Sequence, residues 1–312
     1  MIRSYPHAES PWTGAIWIDL LDATDEERGE VERLTSLRVP TKSAVSEIET
    51  SSRVFTENDA MYLSTPLPAA GPGEPLTAAG FVLTKRLLVT VRFAANPVFE
   101  ALYAGCVKTG PHGACEVFLR LLEALIDRSA DTLEHTSAEL DALSLRAFHA
   151  DGARARQVKE ASEQLRQTLR KLGQKSDWIS QIRDTLLGLS RIAAFVSETG
   201  EAVLTAGDVP RLKAVRADIA SLNDYQSHLS GKVQFLLDAT LGFINIEQND
   251  IVKTLTIVSV VGVPPVLVAG IYGMNFKVMP ELGWSFGYPF AIALMIVTGL
   301  LPIAWFKWRG WM

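Results

Sequence analysis

Near its C-terminal end the 312-residue chain carries an amide and a row of small side chains at a telling spacing. Asn275 follows Gly273 and Met274 at the close of a charge-free stretch. Before it stand Gly270, Val266, Val263, Ser259, Thr256, Asn249, Asn245 and Asp238. From Asp238 to Gly270 the intervals are three, four and seven residues, so these eight side chains share one helix face at a period of about 3.5. The stripe is polar at its Asp238 end and small or apolar further on. Two readings stay open on spacing alone. Such a seam can line a water-filled path between copies of the helix, or it can be a close packing face made of small residues.

The segments that must position this stripe are apolar. Thr254–Phe276 and Leu282–Phe306, 23 and 25 residues long, carry no charge. A bilayer core of about 30 Å needs about 20 apolar residues as helix, so each run is long enough to span. A buried soluble hairpin is the alternative. Lys253 precedes the first run and Lys307 and Arg309 follow the second, whereas the connection carries Lys277 alone as a basic residue. The positive-inside rule then expects both termini in the cytoplasm and residues 277–285 outside. Trp305, Trp308 and Trp311 suit the inner interface. The N-terminus, MIRSYPHAESPW, has no apolar core of a signal peptide. Of the 30 basic and 35 acidic residues, 27 and 34 fall in residues 1–253, a net charge of −7. An acidic domain argues against nucleic acid and is compatible with cations. Cys106 and Cys115 suit a reducing compartment.

The first 112 residues read as an α/β domain. Ala15–Leu21 predicts a strand. SRVFTENDAMYLST and GFVLTKRLLVTVRF predict hairpins that turn at Glu57-Asn58-Asp59 and Thr84-Lys85-Arg86, and a short helix follows Asp25. Gly71-Pro72-Gly73 reads as a loop. Residues 113–207 predict a long helical hairpin, with apolar positions at Phe118, Leu121, Leu122, Leu125, Leu133, Leu140 and Leu143 and a break at Asp151-Gly152. Asp208 is the expected N-cap of a further helix with Pro210 in its first turn. That helix comprises a stalk, residues 208–253, and a first span, 254–276. From Pro210 to Tyr272 it would be roughly 90 Å long, and helices of that length pack against copies of themselves. A second span, 286–306, and a basic tail, 307–312, complete the chain.

The turn YGMNFKVMPELGWSFGYP (Tyr272–Pro289) resembles that of CorA-type magnesium and cobalt channels, whose hallmark is Gly-Met-Asn after the first of two C-terminal spans. WIDLLDATDEE, IETSSRVF and FVLTKRLLVTVR are similar to the N-terminal domain of that family. The resemblance implies a funnel-shaped homopentamer with an α+β cytosolic domain, a stalk helix and two membrane helices, in the inner membrane. It implies influx of Mg²⁺, also Co²⁺ and possibly Ni²⁺, gated by intracellular Mg²⁺, with no organic cofactor. By motif, Gly273, Met274 and Asn275 would form the outer mouth and selectivity filter. By register, Leu255 and Val263 would be apolar girdles, with Asn249 below them and Asp238 in the wide cytosolic part as a further metal contact. A ring of amide oxygens can grip a hydrated Mg²⁺ through its waters, sparing an ion that dehydrates reluctantly and still releasing it. Gly273 is expected to use a backbone conformation barred to other residues. Regulatory Mg²⁺ would bridge carboxylates between subunits, and within Ala214–Asp218 the one acid is Asp218. The chain departs from the family at Lys277, where an acid is usual beside Glu281, and at Val266, which matches a pore hydroxyl.

Elsewhere the sequence is plain. The five histidines form no zinc spacing with one another or with cysteine, although His112 and Cys115 stand three apart. No catalytic triad, P-loop or dinucleotide fingerprint is visible, so no enzyme is indicated. A zinc, nickel or cobalt carrier of the same superfamily and a non-conducting anchored scaffold are the alternatives.

Overall fold

The computed structural model describes residues 1–6, 14–47, 49, 53–68, 75–148, 158–275 and 279–311. The expected loop at Gly71-Pro72-Gly73 and the break at Asp151-Gly152 lie outside them. The strands are β1 (Ile2–Tyr5), β2 (Trp17–Leu21), β3 (Val54–Glu57), β4 (Ala60–Leu67), β5 (Thr77–Leu83) and β6 (Leu88–Arg92). The helices are α1 (Asp25–Thr35), α2 (Lys42–Val45), α3 (Pro97–Thr109), α4 (Ala114–Phe148), α5 (Val158–Thr199), α6 (Asp208–Tyr272) and α7 (Gly287–Trp308). The chain divides into two compact units. One holds residues 1–151 and 166–237, the other residues 152–165 and 238–312.

The first unit is built on one six-stranded sheet in the order β1-β2-β6-β5-β4-β3. Its pairs are antiparallel except β2 with β6. Both expected hairpins form. Asn58 and Asp59 turn the first, both with positive φ, the geometry that lets a two-residue loop match the strand twist. Alternation then sorts the strands between two faces. Ile18, Leu20, Tyr62, Val82, Val89 and Val91 pack on the α1 side with Val31. Trp17, Leu63, Phe81 and Leu88 pack against α3, α4, α5 and α6. Beyond the sheet the three long helices continue as a bundle around Leu133, Leu140, Leu172, Ile179, Leu229 and Val233.

α1 starts with a capping box, in which the Thr24 hydroxyl accepts from Glu27 N and the Glu27 carboxylate accepts from Thr24 N. α3 begins on Asn96 with Pro97 in its first turn. Asp208 departs from expectation. Its carboxylate reaches back to accept from Thr205 N at 2.9 Å and Thr205 Oγ1 at 2.7 Å. It closes the turn before the helix rather than capping the amides that follow.

Two contacts fix the sheet to its helices. Asp19 and Arg92 are buried and paired at 2.8 Å. Thr90 Oγ1 donates to Asp19 at 2.6 Å, Trp17 Nε1 donates to Thr90 at 3.1 Å, and Arg92 also donates to Glu100 of α3 at 2.8 Å. Burial alone would lower the Arg92 pKa, but the two carboxylates more than offset it and raise it. On the other side, α5 presses on β4 at Gly188. A Cβ there would stand 2.0 Å from Thr65 Oγ1 and 2.9 Å from Thr65 Cβ. Gly188→Ala is therefore expected to lower stability by about 1–3 kcal/mol through overpacking. Thermal unfolding of the purified variant checks this, and an unchanged midpoint would refute it.

Candidate functional site

The second unit contains the whole stripe. α6 and α7 are both long and apolar enough to cross a membrane. Along α6, Lys253, Ile257, Val261, Pro264, Pro265, Val268 and Tyr272 are half-buried. Spaced at three, four and seven apart from one another, with the proline pair adding one neighbour, they make a single face. α7 has a matching row, with Gly287, Ala291 and Phe306 buried and Thr298, Gly299, Pro302 and Ile303 half-buried between them. The two rows meet where Gly299 faces α6. A Cβ on Gly299 would lie 3.4 Å from Pro265 Cγ and 3.9 Å from the Val261 carbonyl oxygen. Small residues allow such close helix approach in a membrane.

The predicted stripe falls on the other side. At 100° per residue, Asn249, Thr256, Ser259, Val263, Val266 and Gly270 point roughly 150° away from the half-buried face, and all are exposed, as are Asp238 and Asn245. Leu255, Val263 and Val266 are 65%, 61% and 71% exposed. Thr256 donates its hydroxyl to the Val252 carbonyl at 2.8 Å. Its donor is thus used within the helix, and the oxygen keeps acceptor capacity toward the stripe. Pro264 and Pro265 lack amide hydrogens, so the carbonyls of Val260 and Val261 lose their usual helical donors in mid-span.

At the helix end Gly273 N donates to Ala269 O at 2.9 Å and Met274 N to Ile271 O at 3.2 Å. Met274 and Asn275 are exposed. Gly273 corrects an expectation, because it does not lie in the left-handed region. A Cβ there would come 3.1 Å from the Ala269 carbonyl, so what glycine supplies is room over the last turn. Lys277 lies outside the described residues. Glu281 falls in a short 3₁₀ turn, Pro280–Gly283. Aromatic residues mark both ends of α7, with Trp284, Phe286 and Tyr288 exposed at one and Trp305, Trp308 and Trp311 at the other. Lys253 lies over the Trp311 ring and Arg309 over Trp305, at 5.9 and 5.5 Å. Such pairs suit a lipid interface.

In the first unit Asp218 of α6 joins a field of carboxylates. Asp127 of α4 has its pKa raised by partial desolvation first and then by Asp131, Glu123 and Asp218. Among the described residues no three His, Cys, Asp or Glu side chains are grouped to hold a metal. His112 and Cys115 do not act together. The His112 amide donates to Glu116 at 2.8 Å, whereas the Cys115 thiol bonds Asp208, and burial with that carboxylate pushes it up to about 12. Sequence reasoning did not find the Asp19–Arg92–Glu100 network, whose members are distant in the chain. Nor did it find Gly299, for which the signal was the small residues Gly287, Ala291 and Gly299, four and eight positions apart on α7.

Two adjacent apolar helices after a mixed domain, with an uncovered polar-and-small seam running to an amide turn, fit a two-span membrane protein. Comparisons make this specific. The family described as CorA-like Mg²⁺ transporter protein matches residues 12–308. The chain is similar to the magnesium transport protein CorA of Sodalis glossinidius, 36% identical over 303 residues, covering 96% of this chain and 92% of that one. It is similar to the protein of the same name from Escherichia coli K12, 33% identical over 306 residues, covering 97% and 93%. Its fold is that of the complete CorA magnesium transporter structure from Methanocaldococcus jannaschii, with a TM-score of 0.75 at 21% identity over 95% and 91% of the two chains. The chain belongs to the CorA-like Mg²⁺ transporter family. The close contact of its two spans has a direct consequence. Gly299→Ile is expected to wedge them apart and cost about 1–3 kcal/mol, read as a lower unfolding temperature in detergent, with Gly299→Ala near the parent value.

Proposed function

We propose that the chain conducts Mg²⁺ inward across the cytoplasmic membrane as a homopentamer, with α6 as the pore helix and both termini in the cytoplasm. The observation that carries this reading is the stripe on α6. It is continuous from Asp238 to Gly270, it faces away from α7, and it ends beside an exposed Asn275. Small and polar side chains left uncovered at membrane depth need either protein or water against them. Five copies around an axis supply both. The Asn275 amides form the ring that holds the hydrated ion, Gly273 and Met274 shape the mouth, and Leu255 and Val263 narrow the pore where an apolar ring can gate by dewetting. Val266 extends that apolar lining, and Thr256 and Ser259 add oxygen between the girdles. Asn249 and Asp238 meet the ion on the cytosolic side. Co²⁺ and Ni²⁺, with similar hydrated shells, are the further cargoes.

Gating by intracellular Mg²⁺ follows from the domain charge of −7 per chain. Asp131, Glu123 and Asp218 each repel the Asp127 carboxylate. A divalent ion shared with another subunit relieves that repulsion and favours the closed arrangement, and its loss releases it.

Two measurements test this. Asn275→Ala is expected to reduce Mg²⁺ uptake into proteoliposomes about tenfold or more, with Co²⁺, Ni²⁺ and Zn²⁺ as competitors to rank the cargo. Full uptake by that variant would sink the amide ring. Asp218→Asn is expected to raise the cytosolic Mg²⁺ concentration that half-inhibits the current severalfold. An unchanged inhibition curve would remove Asp218 from the gate.

A further inference from the structure

A second polar site lies in the first unit, at the β3 edge of the sheet. There a cavity of about 280 Å³ is lined by Arg38, Arg53, Phe55, Tyr62, Ser64 and Glu47, among others. It exists because α2 sits close on the sheet. A Cβ at Gly80 would stand 3.0 Å from Val45 Cγ2 and 3.8 Å from Pro40 Cγ, so this glycine lets the α2 segment roof the space beside β4.

Its chemistry is that of an anion site with an aromatic wall. Ser64 is 6% exposed, and its hydroxyl is buried without a hydrogen-bond partner among the described residues. An unpaired buried hydroxyl costs stability unless a ligand or water completes it. Arg53 is half-buried, and its Nε donates to the Glu47 carbonyl at 2.6 Å. Burial first, and then the charge of Arg191, lower its pKa, while Asp184 partly opposes them. A guanidinium in that position gains from a bound anion. Arg38 brings a second cation, and its backbone amide donates to Tyr62 Oη at 3.1 Å. Phe55 is stacked on Tyr62 with centroids 4.9 Å apart and planes 5° apart. Phe55 is half-buried, so the stack can be extended by a flat ring. Glu47 is the one acid among the described lining residues, and with Arg38 and Arg53 it leaves them a net positive charge.

Arginine forks match phosphate oxygens in pairs. The volume far exceeds one phosphate and falls just under the usual range of small-molecule pockets, roughly 300–1,000 Å³. We propose that this cavity binds a mononucleotide, its phosphate held by Arg38, Arg53 and the Ser64 hydroxyl and its base laid against Phe55. None of these residues belongs to the pore, so the site gives the cytosolic domain a small-molecule input separate from the transported ion.

The test is calorimetric titration of the full-length protein in detergent, in Mg²⁺-free buffer, with AMP, inorganic phosphate and adenosine as separate probes. AMP is expected to saturate at one per chain, at least about tenfold tighter than either fragment. Arg38→Ala and Arg53→Ala, read singly and together, are expected to weaken AMP about tenfold or more, Ser64→Ala severalfold, and Lys108→Ala, on α3, not at all. Thermal unfolding of each variant verifies the fold, and the ranking of probes on the parent protein stands without any variant. No saturation with AMP would overturn the proposal. So would phosphate binding as tightly as AMP, or AMP affinity that survives in a folded double arginine variant.

Discussion

A polar group cannot face hydrocarbon without a partner, and this one constraint organises the membrane half of the chain. Each span satisfies its own backbone by being helical, apart from the carbonyls opposite its prolines. Thr254, Thr256 and Thr298 turn their hydroxyls back onto carbonyls one turn earlier. α7 covers a single face of α6, the one carrying Ile257, Val261, Pro265 and Val268. The seam of Thr256, Ser259 and Gly270 stays open in one chain. A single copy therefore contains an unsatisfied surface along its own longest helix, and the proposed assembly is the physical answer to it. The paired prolines sharpen the point. They sit on the covered face, where Gly299 admits them, and of the two carbonyls they orphan, that of Val261 faces Gly299 of α7.

The same helix is an ordinary core element at its other end. Leu212, Val215 and Ile219 pack into the sheet-side core, and Leu229, Val233 and Leu236 into the bundle. Arg211 grips Glu123 of α4 through two bonds, at 3.1 and 2.7 Å, and Lys232 reaches Asp141 at 2.7 Å. These pairs are partly exposed and add little stability each; they orient the helix more than they hold it. What holds it is the apolar seam, and behind that the buried Asp19–Arg92 pair, which ties the central strands to α3. Losing one partner of such a pair costs about 3–5 kcal/mol, because the other is left charged and buried.

Patterns that repeat along the chain were legible in the sequence. Alternation located β2 and both hairpins, and three-four spacing located α4 and the stripe. Charge-free length located the spans. Features made by residues far apart were not legible. The α5–β4 approach at Gly188 depends on Thr65, more than a hundred positions away, and the Asp19 network joins three elements. Local chemistry also misled twice. Asp208 has the residue type of an N-cap, yet the turn before it presents Thr205 as donor. Gly273 ends a helix as a left-handed glycine often does, yet here the crowded Ala269 carbonyl is what demands it.

The departures at Lys277 and Val266 bear on how a cation would be drawn into the proposed pore. In the proposed pentamer, five lysines and five Glu281 carboxylates would nearly cancel the fixed charge at the outer mouth. Screening over about 8 Å in physiological salt weakens what is left. On that reading surface attraction would contribute little to entry. The membrane potential remains: it is worth about 2.3 kcal/mol per elementary charge at 100 mV, hence about 4.6 kcal/mol for a divalent ion crossing fully. With Val266 in place of a hydroxyl, the proposed pore would lack a second oxygen ring within the span, and a hydrated ion would meet amide oxygen at Asn275 and then a mostly apolar wall until Ser259 and Thr256. On the proposed reading, a neutral mouth followed by an apolar wall passes an ion only with its water shell intact. That is the form in which Mg²⁺, slow to shed water, is least costly to move.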